Sequence, residues 1–161
     1  MRQLFIDLDG VLADFDGYYF DQFGIKLDSA KEDGVANPDG MFDRINAHGS
    51  FFADLPKLKD ADDIWESARL LHPKPIILTG VAHLVDNCEE HKIGWVKKHI
   101  DPEATVICCP SAYKYKHGKP GDVLIDDWNK YRPNWEAMGG IFILHRNAKD
   151  SFGQAMGLFL L

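Results

Sequence analysis

Gln3-Leu4-Phe5-Ile6-Asp7-Leu8-Asp9-Gly10-Val11-Leu12-Ala13-Asp14-Phe15 is the stretch whose reading decides the fold. Gln3 to Leu8 is a short apolar run, punctuated by acids and then by Gly10, as expected of a buried strand that stops at a polar edge. Four more runs rich in Ile, Val, Leu and Phe follow: Pro75 to Thr79, Ala104 to Cys108, Asp122 to Ile125 and Gly140 to Leu144. Helical periodicity over Val81 to Ile100 and Tyr131 to Met138 gives the alternation of a parallel sheet, with Ser111 to Lys119 reading as loop. The expected fold is a Rossmann-like three-layer α/β/α parallel-sheet core.

The first and second strands are separated by more chain than one crossover helix needs. Helix-like pieces over Asp14 to Phe23, Met41 to Ala47 and Asp60 to Leu71 alternate with Gly34, Asn37-Pro38-Asp39-Gly40 and Gly49, and Pro73 and Pro75 stop the last. This predicts a small helical cap over residues 14–72, inserted after the first strand, with residues 1–13 and 73–161 forming the core.

The chain has 161 residues, 45% of them hydrophobic, enough for one domain with a sizeable core and too few for two. A formal net charge of -7 argues against a broad basic surface that tracks nucleic acid, while leaving room for a small anion. Three cysteines, no leader-like segment and no apolar run of membrane-spanning length predict a reducing, cytoplasmic setting. Cys108 and Cys109, inside an apolar run, read as core thiols, and the seven histidines lack the spacing of a zinc motif.

Ligands of open α/β sheets collect at the carboxyl ends of the strands. Three runs end in polar residues there: Asp7-Leu8-Asp9-Gly10, Thr79-Gly80 and Asp126-Asp127. Any one of them is ordinary turn or cap chemistry, but four carboxylates converging on one crevice repel by several kcal/mol unless a divalent cation lies between them. Magnesium suits such oxygen ligands and retains room for a phosphate oxygen. In that setting Asp7 can attack phosphorus in line, and Asp9, aimed by the turn at Gly10, can act as general acid and then base. Thr79 and the following amides can hold phosphoryl oxygens, with Lys92 and Lys116 as candidates to offset the remaining charge.

Asp-x-Asp-Gly-Val after the first strand, Thr after the second, Lys ahead of the fourth and Asp-Asp behind it resemble the haloacid dehalogenase superfamily. Within it, Arg2 to Asp127 is similar to the 5'(3')-deoxyribonucleotidases. The matching stretches are Asp7 to Phe15, Phe51-Phe52-Ala53-Asp54-Leu55, Lys92-Ile93-Gly94-Trp95-Val96-Lys97-Lys98, and Lys116 followed by Gly121 to Asp127. The resemblance implies a magnesium-dependent phosphomonoesterase acting on (deoxy)ribonucleoside monophosphates, with Asp7 as nucleophile and Asp9 as acid/base. It places Mg2+ on Asp7, the Asp9 carbonyl and the Asp126-Asp127 pair, with either of the pair as the direct ligand. It gives Thr79, Lys92 and Lys116 to the phosphate and turns Phe15 and the cap aromatics toward the nucleoside.

Two positions depart from the family pattern. Gly80 stands where a serine is usual, which leaves only a backbone amide to make that contact. Trp128 replaces the arginine that commonly follows Asp-Asp, exchanging a cation for a stacking surface. Of the other aromatics, Phe5, Trp95 and Phe142 read as core, whereas Tyr18, Tyr19, Phe42, Phe51 and Phe52 lie in the cap. The expected partner is a small phosphorylated molecule, with a homodimer also compatible, and without a membrane or extended nucleic acid. The alternatives are a polynucleotide 3'-phosphatase, whose support is the short cap and the basic stretch Tyr113 to Lys119, and a phosphatase of another phosphorylated metabolite. A non-catalytic module is disfavoured by the intact Asp7, Asp9, Thr79, Lys116 and Asp126.

Overall fold

The computed structural model describes residues 1–27 and 40–160, so the punctuation expected at Gly34 and Asn37-Pro38-Asp39 lies outside the described residues. Five strands, β1 (Leu4–Ile6), β2 (Ile76–Gly80), β3 (Thr105–Cys109), β4 (Val123–Asp126) and β5 (Ile141–Leu144), form one parallel sheet in the order β3-β2-β1-β4-β5. Strand residues alternate between faces because successive side chains of a strand point oppositely. Leu4, Ile6, Ile77, Val123, Ile125 and Ile143 enter one apolar cluster, and Phe5, Leu78, Leu124 and Phe142 the other.

The first cluster is covered by α3 (Ala61–Leu71), α4 (Cys88–His99) and α6 (Ala148–Phe159). The second is closed by α5 (Arg132–Ala137), through Trp135, and by a 3-10 helix over Ser111–His117, through Tyr115. That 3-10 helix replaces the loop expected there. The helix expected from Val81 to Ile100 starts only at Cys88, because Asn87 adopts a left-handed conformation, with φ of 56°, ahead of it. Trp95 and Phe5 are buried in these clusters as expected, as is Cys109, while Cys108 is half-buried and burial pushes its thiol up to about 11.

Between β1 and β2 lie α1 (Phe15–Phe23), α2 (Met41–His48) and a 3-10 turn (Phe51–Ala53), followed by α3. Within the segment expected as a cap, residues 14–72, α3 packs against α6. Ala61, Ile64, Trp65 and Ala68 recur at i, i+3, i+4 and i+7 and are buried, giving α3 one apolar stripe that faces the core layer. Its contacts bear this out: Asp60 Oδ2 accepts from the Ala148 amide at 3.0 Å, and Trp65 Nε1 donates to Asp101 Oδ2 at 3.1 Å. The other pieces of that segment, α1, α2 and the 3-10 turn, are seated through Tyr19, Ile45 and Phe51 on the same cluster as the core. Among the described residues, no helix is long and apolar enough to cross a membrane.

The sheet is fastened at the opposite end from the acidic crevice by Asp122. Its carboxylate accepts from the Gln3 amide at 2.8 Å, the Lys119 amide at 2.9 Å and Lys119 Nζ at 2.7 Å. Burial alone would raise this group, but the hydrogen bonds from Lys119 and Gln3 outweigh it and hold Asp122 below the ordinary carboxylate value. Asp122→Ala is expected to cost about 2 kcal/mol in urea unfolding at neutral pH. Because the folded-state value is depressed, that contribution is complete above the ordinary value of 3.8 and fades as pH falls through the folded value. The gap between wild type and variant should therefore close in strong acid, and a gap independent of pH would refute the ionic role.

Candidate active site

The chain passes from β1 to β2 and β3 on one side of the sheet and then crosses to β4 on the other. The switch lies between β1 and β4, where an open sheet leaves a crevice at its carboxyl ends. Asp7 immediately follows β1, and its amide donates to the Ile125 carbonyl at 2.9 Å, which aligns it with Asp126 at the end of β4. One carboxylate oxygen each from Asp7, Asp126 and Asp127 lie within 4.8 Å of one another. The chain turns away through Gly10, with φ of +80°, and a Cβ there would come 1.8 Å from Asp127 Oδ2. Only glycine permits both the turn and that close approach.

A buried lysine sits among these acids. Lys114 Nζ donates to Asp7 Oδ1 at 2.8 Å and to Asp126 Oδ2 at 2.7 Å. Burial works against its charge, but Asp126 and Asp7 overcome that and hold the ammonium well above the ordinary lysine value. With one cation shared between two buried carboxylates, Asp126 is left short of positive charge. Its own burial, and next the Asp7 charge, raise it above the usual carboxylate range. Asp7 and Asp126 share the Lys114 ammonium, and the oxygen donors of Asp7, Asp126 and Asp127 form a set that fits a hard divalent cation.

Lys116, expected at the phosphate, is not brought to the site. It is exposed, with Nζ 4.2 Å from the centroid of the Tyr113 ring. The reason is the helix type: side chains three apart eclipse in a 3-10 helix, whereas those two apart diverge. Delivery of Lys114 inward therefore turns Lys116 outward. Lys114 was missed because the segment reads as loop in the sequence, which gives Lys114, Lys116 and Lys119 no distinguishing phase.

Lys92, from α4, is buried beside the other acid. Its Nζ donates to Asp9 Oδ2 and to the Gly80 carbonyl, both at 2.6 Å, and lies 3.4 Å from Thr79 Oγ1. Burial opposes the charge, yet Asp9 holds Lys92 above its ordinary value. The Asp9 side chain is thus engaged by Lys92 and is not one of the grouped carboxylates Asp7, Asp126 and Asp127. Asp9 Oδ1 is buried and has no hydrogen-bond partner among the described residues. Thr79 is fully buried beneath the crevice, and Gly80, rather than Thr79, forms part of its wall.

The crevice encloses a cavity of about 430 Å³, within the usual range for small-molecule sites. Phe15, Phe42 and Phe52 form its cap wall, while Tyr19 and Phe51 are buried behind them. Phe15 stacks on Phe52 at 5.8 Å, and Lys92 Nζ lies 4.4 Å from the Phe52 ring centroid, joining the apolar wall to the polar floor. Trp128, Lys130 and Tyr131 also line the cavity. Trp128 and Tyr131 meet edge to face at 5.6 Å, with Lys130 Nζ 5.3 Å from the Trp128 centroid.

No profile of a known family matches the chain. It is 27% identical over 149 residues to a protein of Bordetella bronchiseptica named "Putative 5'(3')-deoxyribonucleotidase", covering 82% of this chain and 79% of that one. A protein of the same name from Bordetella pertussis is 26% identical over the same shares. Among solved structures, a HAD family hydrolase of Deinococcus radiodurans with bound phosphate and sodium superposes with a TM-score of 0.53. That match covers 98% of this chain and 88% of the other, at 13% identity, and establishes a common fold.

Proposed function

We propose that this chain is a magnesium-dependent phosphomonoesterase of the haloacid dehalogenase superfamily that dephosphorylates nucleoside monophosphates through an aspartyl-phosphate. The observation that carries the reading is the convergence of Asp7, Asp126, Asp127 and Lys114 at the switch point, beside an Asp9 held by Lys92. Asp7, Asp126, Asp127 and the Asp9 carbonyl would hold Mg2+, which when bound supplies positive charge to the phosphoryl oxygens. Asp7 forms a bond to phosphorus as the ester P–O bond breaks, and the departing oxygen takes a proton from Asp9. Oδ1 is the oxygen suited to carry that proton, because Oδ2 is engaged by Lys92. Asp9 then removes a proton from water, whose oxygen attacks phosphorus and restores the Asp7 carboxylate. Lys92 and Lys114 offset the charge of the transferring group.

The nucleotide part of the reading is supported by the names of the two Bordetella relatives and by the aromatic cap wall. A base stacked on Phe15 is worth about 1–3 kcal/mol. Phe15→Leu keeps most of the apolar volume and is expected to raise KM for nucleotides roughly tenfold, with kcat and acetyl phosphate hydrolysis little changed. An equal loss on both substrates would remove the nucleoside from that wall.

Trp128, Lys130 and Tyr131 favour a second reading, in which the substrate is the phosphorylated end of an oligonucleotide. A phosphate-release screen with magnesium over 5'- and 3'-(deoxy)nucleotides, sugar phosphates and end-phosphorylated oligonucleotides tests both. Preference for mononucleotides supports the first. Preference for oligonucleotide ends, with KM rising steeply with salt, supports the second. No release from any of them contradicts the proposed function.

A further inference from the structure

We propose that Ser111 supplies the hydroxyl that grips the phosphoryl group, occupying the space a side chain on residue 80 would fill. This inference deepens the phosphatase reading and rests on it for the place of the phosphate. Gly80 ends β2 and lines the crevice. Its backbone is outside the left-handed region, so its conformation does not itself demand glycine. What excludes a side chain is Ser111: a Cβ built on Gly80 would lie 2.0 Å from Ser111 Oγ and 3.2 Å from Ser111 Cβ. The Ser111 oxygen therefore stands close to where the hydroxyl of a serine at position 80 would stand, having arrived from a different element.

Ser111 also faces the correct way. It opens the 3-10 helix that carries Lys114, three residues on, and side chains at that separation share a face. Lys114 fixes the direction of that face by its bonds to Asp7 and Asp126, and Ser111 lines the same cavity. Among the described residues, the Ser111 hydroxyl has no hydrogen-bond partner, so its proton remains available to an anion. The Thr79 hydroxyl is not equivalent, being fully buried, 3.4 Å from the Gly80 carbonyl and 3.4 Å from Lys92 Nζ. A phosphoryl group beside Asp7 would thus meet the two ammonium groups of Lys92 and Lys114 together with the Ser111 hydroxyl.

Ser111→Ala, Gly80→Ser and the double variant test this through the affinity for inorganic phosphate in the presence of magnesium chloride, measured calorimetrically, and through KM and kcat. Ser111→Ala is expected to weaken phosphate binding and raise KM about tenfold, with an unchanged unfolding temperature. Gly80→Ser alone should also weaken binding, because its side chain displaces Ser111. In the Ser111→Ala background the same substitution should restore affinity, since the hydroxyl returns to the vacated space. That reversal of sign is what a merely structural role would not produce. Unchanged phosphate affinity in Ser111→Ala, or equal damage by Gly80→Ser in both backgrounds, would overturn the proposal. A wild-type protein that binds phosphate through Ser111 but hydrolyses no ester would refute the phosphatase reading and leave this one supported. A wild-type protein that binds no phosphate would refute both.

Discussion

Asp7→Asn is expected to lower turnover by about 10⁴-fold or more, because the amide cannot form the bond to phosphorus on which both half-reactions depend. The fold should survive. Asp7 and Asp126 press on the single ammonium of Lys114, so removing one negative charge relieves repulsion in the metal-free protein. The unfolding midpoint of Asp7→Asn without metal is therefore expected at or above that of wild type, and the variant should still bind substrate when magnesium is present. Phosphate release assays and thermal unfolding check the two halves. A variant with wild-type turnover would dismiss the covalent mechanism, and one that fails to fold would show that Asp7 serves the core more than the crevice.

Lys114 and Lys116 are expected to differ sharply. Lys114→Met keeps the stem but leaves Asp7 and Asp126 buried without their shared cation, a loss of about 3–5 kcal/mol in the absence of metal. Turnover should collapse with it, since the same ammonium is placed to offset the charge of the transferring phosphoryl group. Lys116→Ala removes an exposed group resting over Tyr113 and should change stability by less than about 0.5 kcal/mol, with turnover unaffected. Urea unfolding and steady-state kinetics of the pair make the comparison. Loss of activity in Lys116→Ala with activity retained in Lys114→Met would reverse the assignment drawn from the geometry.

The sheet was legible in the sequence because buried parallel strands announce themselves as unbroken apolar runs, and the polar residues ending those runs mark the ligand edge. Asp7, Asp126 and Asp127 come together on that basis. Residues whose placement depends on helical phase were harder to read. The choice between Lys114 and Lys116 turns on a 3-10 helix whose sequence, Ser-Ala-Tyr-Lys-Tyr-Lys-His, carries no apolar period. Helix α6 went unread for a related reason: Gly153 and Gly157 lie within it, and glycine in a helix interior weakens the signal that Phe152 and Ala155 supply. Helix α3 is legible as a helix, but amphipathic periodicity identifies its buried face without saying what buries it. Ser111 had no local signal at all. Its relation to Gly80 joins the end of β2 to the start of the 3-10 helix, and only their approach in space exposes it.

The central claim is that phosphorus is transferred to Asp7. The most direct measurement is to quench the magnesium-loaded enzyme during turnover, reduce it with borohydride and sequence the peptide containing residues 3–15 by mass spectrometry. An aspartyl-phosphate is reduced to homoserine, so homoserine at position 7, dependent on both substrate and magnesium, is the predicted result. Unmodified Asp7 in an enzyme that is releasing phosphate, with homoserine at position 9 or at neither position, would contradict it.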